Sequence, residues 1–268
     1  IRFNTNSLFI KTTPPDAYLK PSWMISVVTA LFLIFLGGSV IIFLIKSINT
    51  PHGYFDAIVG WNMRARFLFR GGELWETAFS VLTDHPLLIP GTIARIWYYI
   101  GSDTTIVPII VAFLFTFSTV GLLYSSVSIL RGRSQGVLAG LLLLSTVIFL
   151  QSGMNQVGDV PVGFFYLATI VLFYLNDNIS TGEKGFMLIL AGITTGLASW
   201  TKPEGSLFIV SVVMASALIF LPAKGFKKYF KDLLIWGIGL IPVLAVVIYF
   251  KTQIASPSYI FGQDWTVF

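Results

Sequence analysis

The most constraining feature of this chain is a series of long apolar runs separated by short polar stretches. Each run is near the length that crosses about 30 Å of hydrocarbon at about 1.5 Å per residue. The runs occupy Trp23–Ile45, Thr105–Leu130, Gly136–Leu150, Val160–Leu175, Phe186–Trp200, Ser206–Leu221 and Leu233–Phe250. Backbone polar groups must be paired inside lipid, and these runs lack the alternation of barrel strands, so we expect helices. The sequence predicts an all-α, polytopic transmembrane bundle with about seven spans.

Composition supports an integral membrane protein. Only 11% of residues are charged, against roughly 25% in a soluble domain. The net charge of +5 comes from cations beside apolar runs rather than from a soluble basic patch, so we expect no nucleic-acid partner. The chain has no cysteine, which excludes disulfides and thiolate metal sites. We expect residues 1–268 to form one transmembrane domain and to be part of a longer chain, because they open with Ile1 rather than Met.

The distribution of Lys and Arg predicts the orientation. Cytoplasmic loops are rich in these residues, and Arg131, Lys184 and the segment 224–231 fall in loops that alternate spanning would place on one side. The N-terminus is then cytoplasmic, and residues 47–104 form an extracytoplasmic loop. That loop contains four arginines against the trend, Arg64, Arg66, Arg70 and Arg95, which suggests an anionic ligand.

Two segments of this loop are predicted to be helices lying at the membrane interface. Ala57–Phe69 places Trp61, Ala65 and Leu68 on one stripe, and Leu87–Ile100 is apolar and aromatic but short for a span. Their Trp and Tyr residues are predicted to anchor at headgroup level; they are Trp61, Trp75, Trp97, Tyr98 and Tyr99. Such helices would either roof a cavity or serve as surface connectors.

Two pairs of glycines four residues apart predict close helix packing. They are Gly136 with Gly140 and Gly192 with Gly196. Small residues at this spacing let helices approach one another closely within lipid.

Two acids are candidate catalytic residues. Asp56 follows the first run and is flanked by Phe55, and Asp159 stands at the outer start of the fourth run. A carboxylate at the membrane edge suits general-base chemistry. Each could equally be a helix N-cap, for which Asp is favoured.

Basic residues of the same side are candidate substrate-binding groups. Lys202 and Glu204, both candidate substrate-binding residues, lie in a tight Thr-Lys-Pro-Glu-Gly loop, where Lys202 could contact a phosphate or simply pair with Glu204. Arg64, Arg66 and Arg70 offer bidentate phosphate contacts, and Arg66 and Arg70 share a helical face. Lipid headgroups are an equally good ligand for these arginines.

Asp84 and His85 precede the second interfacial helix and are further candidate substrate-binding residues, which could also supply acid–base or metal-binding groups. The only other histidine is His52, so a site with several histidine ligands is not expected. A site in which carboxylate oxygens bind Mg²⁺ or Mn²⁺ remains an alternative. We therefore predict no definite cofactor and no assigned metal ligand.

Together these motifs resemble the membrane-embedded GT-C glycosyltransferases, in the branch of the dolichyl-phosphate-mannose protein mannosyltransferases and bacterial aminoarabinose transferases. The chain is similar to the N-terminal half of such an enzyme. The resemblance rests on Asp56 after the first run, His85-Pro86-Leu87-Leu88, Gly158-Asp159-Val160-Pro161 and Thr201-Lys202, in that order and on one predicted side.

The resemblance implies a role for each matching residue. Asp56 would deprotonate the acceptor hydroxyl, Lys202 would bind the lipid-linked phosphate, and Asp159 would help to shape the site. It also implies a polyprenyl- or dolichyl-phosphate sugar as donor, a lipid, glycan or protein acceptor, membrane lipids as surroundings, and inversion at the anomeric carbon.

The sequence departs from this family pattern in two respects. Ala57 follows Asp56 where protein mannosyltransferases typically have Glu, and the family has more membrane helices, often with a C-terminal soluble domain. A transporter or lipid flippase is the main alternative, because intramembrane charges also mark transport paths. A noncatalytic membrane subunit would fit if the acids only cap helices.

Overall fold

A computed structural model of the chain describes residues 23–72, 85–178 and 184–255. Over these residues the chain is helical and contains no strand, which confirms the all-α prediction. A π-helix, Ala57–Asn62, precedes the second helix, and a π-helical turn, Phe250–Ile254, extends the last. The α-helices are α1 (Trp23–Asn49), α2 (Met63–Arg70), α3 (Leu88–Ile100), α4 (Ile106–Arg131), α5 (Arg133–Ser145), α6 (Val147–Met154), α7 (Asp159–Asn178), α8 (Lys184–Thr201), α9 (Glu204–Lys224) and α10 (Phe226–Tyr249).

Five helices of the described ranges are long and apolar enough to cross a membrane: α1, α4, α7, α9 and α10 with its π-helical extension. The bent pair of α5 and α6 would make six. The apolar part of α8, Gly185–Thr201, is shorter than the others. The chain is therefore an integral membrane protein with a helical bundle, while the count of seven spans stays a prediction.

The third predicted run is broken where α5 meets α6, at an angle of 65°. Thr146 joins the two helices in an extended conformation, and its hydroxyl donates to the Leu142 carbonyl at 2.9 Å. Ser145 donates to the same carbonyl, also at 2.9 Å. Side-chain hydroxyls that bond the preceding turn favour helix bending. The single helical run predicted over Gly136–Leu150 is thus two helices joined at a bend.

Glycines bring α8 and α10 into backbone contact. A Cβ added at Gly192 would collide with the Trp236 carbonyl, and one added at Gly239 would collide with the Ile189 carbonyl. Trp236 also donates its indole N–H to the Thr195 hydroxyl at 3.3 Å. The small-residue packing predicted for Gly192 is confirmed.

The other predicted glycine pair packs α5 against two neighbours. A Cβ at Gly140 would lie 2.6 Å from the Phe32 ring of α1, and one at Gly136 would collide with Ser128 of α4. Phe115 of α4 then contacts the ring of Phe165 in α7 edge-on, at a centroid distance of 5.6 Å. This contact joins the first helices of the bundle to α7, which packs on α8.

The segment around α2 and α3 forms a packed cap on one end of the bundle. The predicted stripe is confirmed, since Trp61 and Ala65 are buried and Leu68 packs against them. Trp97 is fully buried and donates its N–H to the Thr104 carbonyl at 2.8 Å. The prediction that Trp61 and Trp97 anchor at headgroup level is wrong, because both complete the cap's own core. Tyr98 and Tyr99 are exposed, whereas Trp75 lies outside the described residues.

Candidate functional site

Lys202 is held between two carboxylates at the end of the bundle where α7 begins, α8 ends and α9 begins. Its Nζ donates to Asp159 Oδ1 at 2.9 Å and lies 3.5 Å from Glu204 Oε1. The Lys202 side chain is only 15% exposed, whereas those of Asp159 and Glu204 are 60% and 59% exposed. The Lys202 ammonium is therefore largely buried, whereas the two carboxylates that contact it are accessible to solvent. This part of the molecule is called the Asp159 end below.

A tight turn places Lys202 in this position. The Lys202 N–H bonds the Ala198 carbonyl at 3.3 Å, and the Gly205 N–H bonds the Lys202 carbonyl at 3.0 Å. A Cβ at Gly205 would collide with the backbone of Ala198, so only glycine fits there. The turn fixes Lys202 against the first residue of α7.

The charges around Lys202 keep it protonated. Burial lowers the pKa of the Lys202 ammonium, but its hydrogen bond to Asp159 and the negative charges of Asp159 and Glu204 outweigh burial. The pKa therefore lies above its usual value of 10.5. The predicted pairing of Lys202 with Glu204 is present, and Asp159 is the closer partner.

Asp56 lies on the same end of the bundle. It occupies the N-cap position of the Ala57–Asn62 helix without a side-chain capping bond, and it is exposed. One turn later, the Trp61 ring packs on Gly158, where a Cβ would approach within 2.6 Å. Gly158 precedes Asp159, so the segments that carry the two predicted catalytic acids are in direct contact.

A buried amide pair ties these segments together. The Asn62 side chain donates to Gln156 Oε1 at 2.8 Å and to the His52 carbonyl at 3.1 Å. Gln156 in turn donates to the Pro51 carbonyl at 3.2 Å, and the Tyr54 N–H bonds the Asn155 carbonyl at 3.2 Å. The loop after α1 is therefore fastened to the turn before α7.

Aromatic packing brings the last helix to the same place. Phe250 is buried and meets Trp200 edge-on, at a centroid distance of 5.3 Å. Phe67 of α2 and Leu87 pack against the same cluster. The ends of α2, α3, α8 and α10 thus converge beside the α7 start.

A family model described as dolichyl-phosphate-mannose-protein mannosyltransferase matches residues 84–249 of this sequence, more than half of the chain. The chain belongs to this family. Neither a curated protein nor a solved structure matches it.

Membership in the mannosyltransferase family confirms the predicted GT-C resemblance and a membrane glycosyltransferase in general terms. It favours the transferase over the transporter alternative. The matched residues include Asp159, Lys202 and Glu204, and Asp56 lies before them. The catalytic and binding roles of all these residues stay predictions.

The three arginines predicted to bind substrate, Arg64, Arg66 and Arg70, have protein partners. Arg64 is fully buried and donates to the His85 carbonyl at 2.8 Å, which secures the chain before α3. Arg70 donates to Asp103 Oδ2 at 2.8 Å, and Arg66 Nε lies 3.5 Å from the same oxygen. The expected common face of Arg66 and Arg70 is thus observed.

Asp103 was not singled out from the sequence, because it is one polar residue in a loop with no motif around it. The hydrogen bond from Arg70 lowers the pKa of its carboxyl below the usual 3.8; slight burial opposes this effect, and the charges of Arg70 and Arg66 reinforce it. Arg66 also lies 3.3 Å from the His52 ring nitrogen and over the Trp97 ring. These groups make a second charged patch on the cap.

The remaining predicted site residues precede α3. His85 packs its ring edge-on to Trp61, at a centroid distance of 5.9 Å. Asp84 lies outside the described residues. Within the ranges that are described, no three His, Asp or Glu residues are grouped so that they could hold a metal ion, and a requirement for Mg²⁺ or Mn²⁺ stays a prediction.

Proposed function

We propose that this protein transfers a sugar from a polyprenyl- or dolichyl-phosphate donor to an acceptor at the extracytoplasmic face of the membrane. The observation that carries this proposal is the sheltered Lys202 between Asp159 and Glu204 within the segment that matches the mannosyltransferase family. A donor with a long lipid tail would partition into the bilayer and present its charged head at this depth.

Lys202 is the proposed ligand of the donor phosphate. An ammonium group has three N–H donors, and the two carboxylates account for two of them. The third can bond a phosphate oxygen, and the fixed positive charge would stabilise the negative charge that develops on the leaving phosphate. Asp159 and Glu204 hold this charge in place and keep it protonated.

Asp56 is the proposed general base. The acceptor hydroxyl oxygen would form a bond to the anomeric carbon as its proton passes to the Asp56 carboxylate. The bond between the anomeric carbon and the phosphate oxygen would break, and the phosphate would leave with the electron pair. Attack opposite to the leaving group inverts the anomeric centre. The exposure of Asp56 at the Asp159 end supports access by an acceptor.

The test is transfer from radiolabelled polyprenyl-phosphate sugars by the protein reconstituted in vesicles. Asp56→Asn is expected to lower the rate by roughly 10² to 10⁴, and Lys202→Met by roughly 10² to 10³. Lys227→Ala, which also removes one Lys but far from Asp159, is the matched control and should keep the wild-type rate. Unchanged transfer by Asp56→Asn removes the proposed base, and unchanged transfer by Lys202→Met removes the phosphate ligand.

A further inference from the structure

A further charged cluster, away from the Asp159 end and the cap, lies where α7 and α9 end and α10 begins; it is called the Lys224 end. Lys224 contacts Asp177 Oδ1 closely and lies 3.2 Å from Asp232 Oδ2. Its ammonium also stands 4.4 Å from the centre of the Phe220 ring. Three helices are thus joined around one partly buried cation.

Beside this cluster is a cavity of about 360 Å³ that is lined in part by charged side chains. Its charged and amide lining residues are Asn176, Asp177, Lys224, Lys228, Lys231 and Asp232. With two acids and three lysines, this lining has an excess of positive charge. Lys228 and Lys231 are exposed at its mouth, where an anion could approach.

Asn176 points to a ligand at this cavity. Its side chain is only 4% exposed, and within the described ranges its Oδ1 has no hydrogen-bond partner. A buried amide oxygen without a donor is costly. Because Asn176 also lines the cavity, a change of its rotamer would bring this oxygen to a hydroxyl group of a ligand bound there.

An apolar groove of about 300 Å³ continues from the polar cluster along α7 and α9. Asp177 borders both the groove and the cavity. Ile170 and Ile219 line the groove and are largely exposed on the outside of the bundle, where lipid would lie. A molecule with a polar head in the cavity could therefore extend a hydrocarbon chain into the groove.

We propose that the Lys224 end binds an anionic glycerophospholipid, with Lys228 and Lys231 on its phosphate, its headgroup hydroxyls toward Asn176, and one fatty chain in the groove. The exposed rings of Phe226 and Phe230 stack 6.0 Å apart beside these lysines, and exposed aromatic and basic side chains together are typical of a helix at the membrane interface. This site is separate from the Asp159 end and does not depend on the proposed sugar transfer.

The experiment titrates the purified protein in detergent with phosphatidylglycerol and counts bound lipid by native mass spectrometry. Phosphatidylcholine tests charge, because its phosphate is balanced by a cation, and glycerol phosphate tests the need for a fatty chain. We expect phosphatidylglycerol to bind more tightly than either. Lys228→Ala and Lys231→Ala should each weaken it about fivefold, whereas the matched Lys227→Ala, outside the cavity lining, should change it less than twofold.

The groove is tested separately. Ala215 lines it, so Ala215→Phe should fill it and weaken phosphatidylglycerol binding, whereas Leu218→Phe, on an exposed part of α9 outside that lining, should not. Each variant is compared only where its melting temperature equals that of wild type, which shows that it is folded. If Ala215→Phe fails to fold, Ala215→Leu takes its place. Equal binding of both lipids, equal effects of the three lysine variants, or tight binding of glycerol phosphate would overturn the proposal.

Discussion

Gln156 combines a left-handed backbone conformation with a buried side chain that bonds two other segments. Its backbone φ is +59°, in the left-handed region that disfavours most side chains. Its side chain is buried and fastens both Asn62 and Pro51. Residues held in such conformations by their surroundings concentrate at functional sites. Gln156 lies three residues before Asp159, where it can set the position of the loop that carries Asp56.

We predict that Gln156→Ala destabilises the protein by about 1–3 kcal/mol, because it leaves the Asn62 amide and the Pro51 carbonyl without their partner. Gln156→Gly loses the same bonds but relieves the backbone, so it should be less harmful by about 1 kcal/mol. Thermal unfolding in detergent measures both. The control is Gln151→Ala, at an exposed position of α6. Equal stability of wild type and Gln156→Ala would show that the clamp contributes nothing.

Lys202 gives a prediction about pH. Its folded pKa lies above the unfolded value near 10.5, chiefly because its bond to Asp159 and the nearby negative charges outweigh burial. The stabilisation from its charge is therefore complete below pH 10.5 and is lost as the pH rises through the higher folded pKa. Asp159→Asn removes the closer carboxylate and lowers the folded pKa of Lys202, so the variant should be less stable than wild type at pH 8 and should lose less stability as the pH approaches 11.

Melting temperatures measured between pH 8 and 11 test this expectation. Asp103→Asn removes a carboxylate elsewhere on the cap and serves as the control, which should follow the wild-type curve at alkaline pH. Superimposable curves for Asp159→Asn and wild type would mean that Asp159 does not hold the Lys202 proton.

The close contact between helices α8 and α10 depends on Gly192 and Gly239, which have no side chain. We predict that Gly239→Ala destabilises the protein by about 1–3 kcal/mol, because the new methyl meets the Ile189 carbonyl of α8. Gly237→Ala, two residues away on α10 with nothing near it, should be neutral or stabilising by up to about 1 kcal/mol. The difference in melting temperature between the two variants is the measurement, and equal values would argue against backbone contact at Gly239.

The sequence predicts most helices of this fold, because length and hydropathy alone decide which segments suit a bilayer. It does not predict the bend at Thr146, since no Pro or Gly marks it. The burial of Trp97 is likewise hidden, because it depends on which face of α3 meets α4. The sequence does bring Lys202 and Glu204 together, only two positions apart, and places Asp159 on the same side.

Contacts between distant positions explain the rest of the site. Gln156 and Asn62 are 94 positions apart, and Arg70 and Asp103 are 33 apart. Neither pair has a spacing that a helix or a turn would produce. Polar pairs of this kind follow from tertiary packing, so one sequence by itself gives no signal for them.

For the whole molecule, α7 separates two charged clusters. It runs from Asp159, beside Lys202, to the turn that contains Asp177, beside Lys224. A helix of 20 residues is about 30 Å long, close to the thickness of the hydrocarbon layer. The two clusters are therefore spaced to meet opposite surfaces of a bilayer, and the shorter apolar helix α8 packs along α7 between them.

This arrangement predicts which positions are reached from each side of the membrane. The chain has no cysteine, so single cysteines can be introduced at Ser102, an exposed position of the cap, and at Lys227, an exposed position of the Lys224 end. In sealed right-side-out vesicles, a membrane-impermeant maleimide should label Ser102→Cys at once. It should label Lys227→Cys only after permeabilisation, because basic loops stay in the cytoplasm. The unsubstituted protein, which has no cysteine, measures the nonspecific labelling by the maleimide. The reverse pattern would overturn the predicted orientation, and labelling of both positions from one side would show that the two charged clusters do not face opposite surfaces.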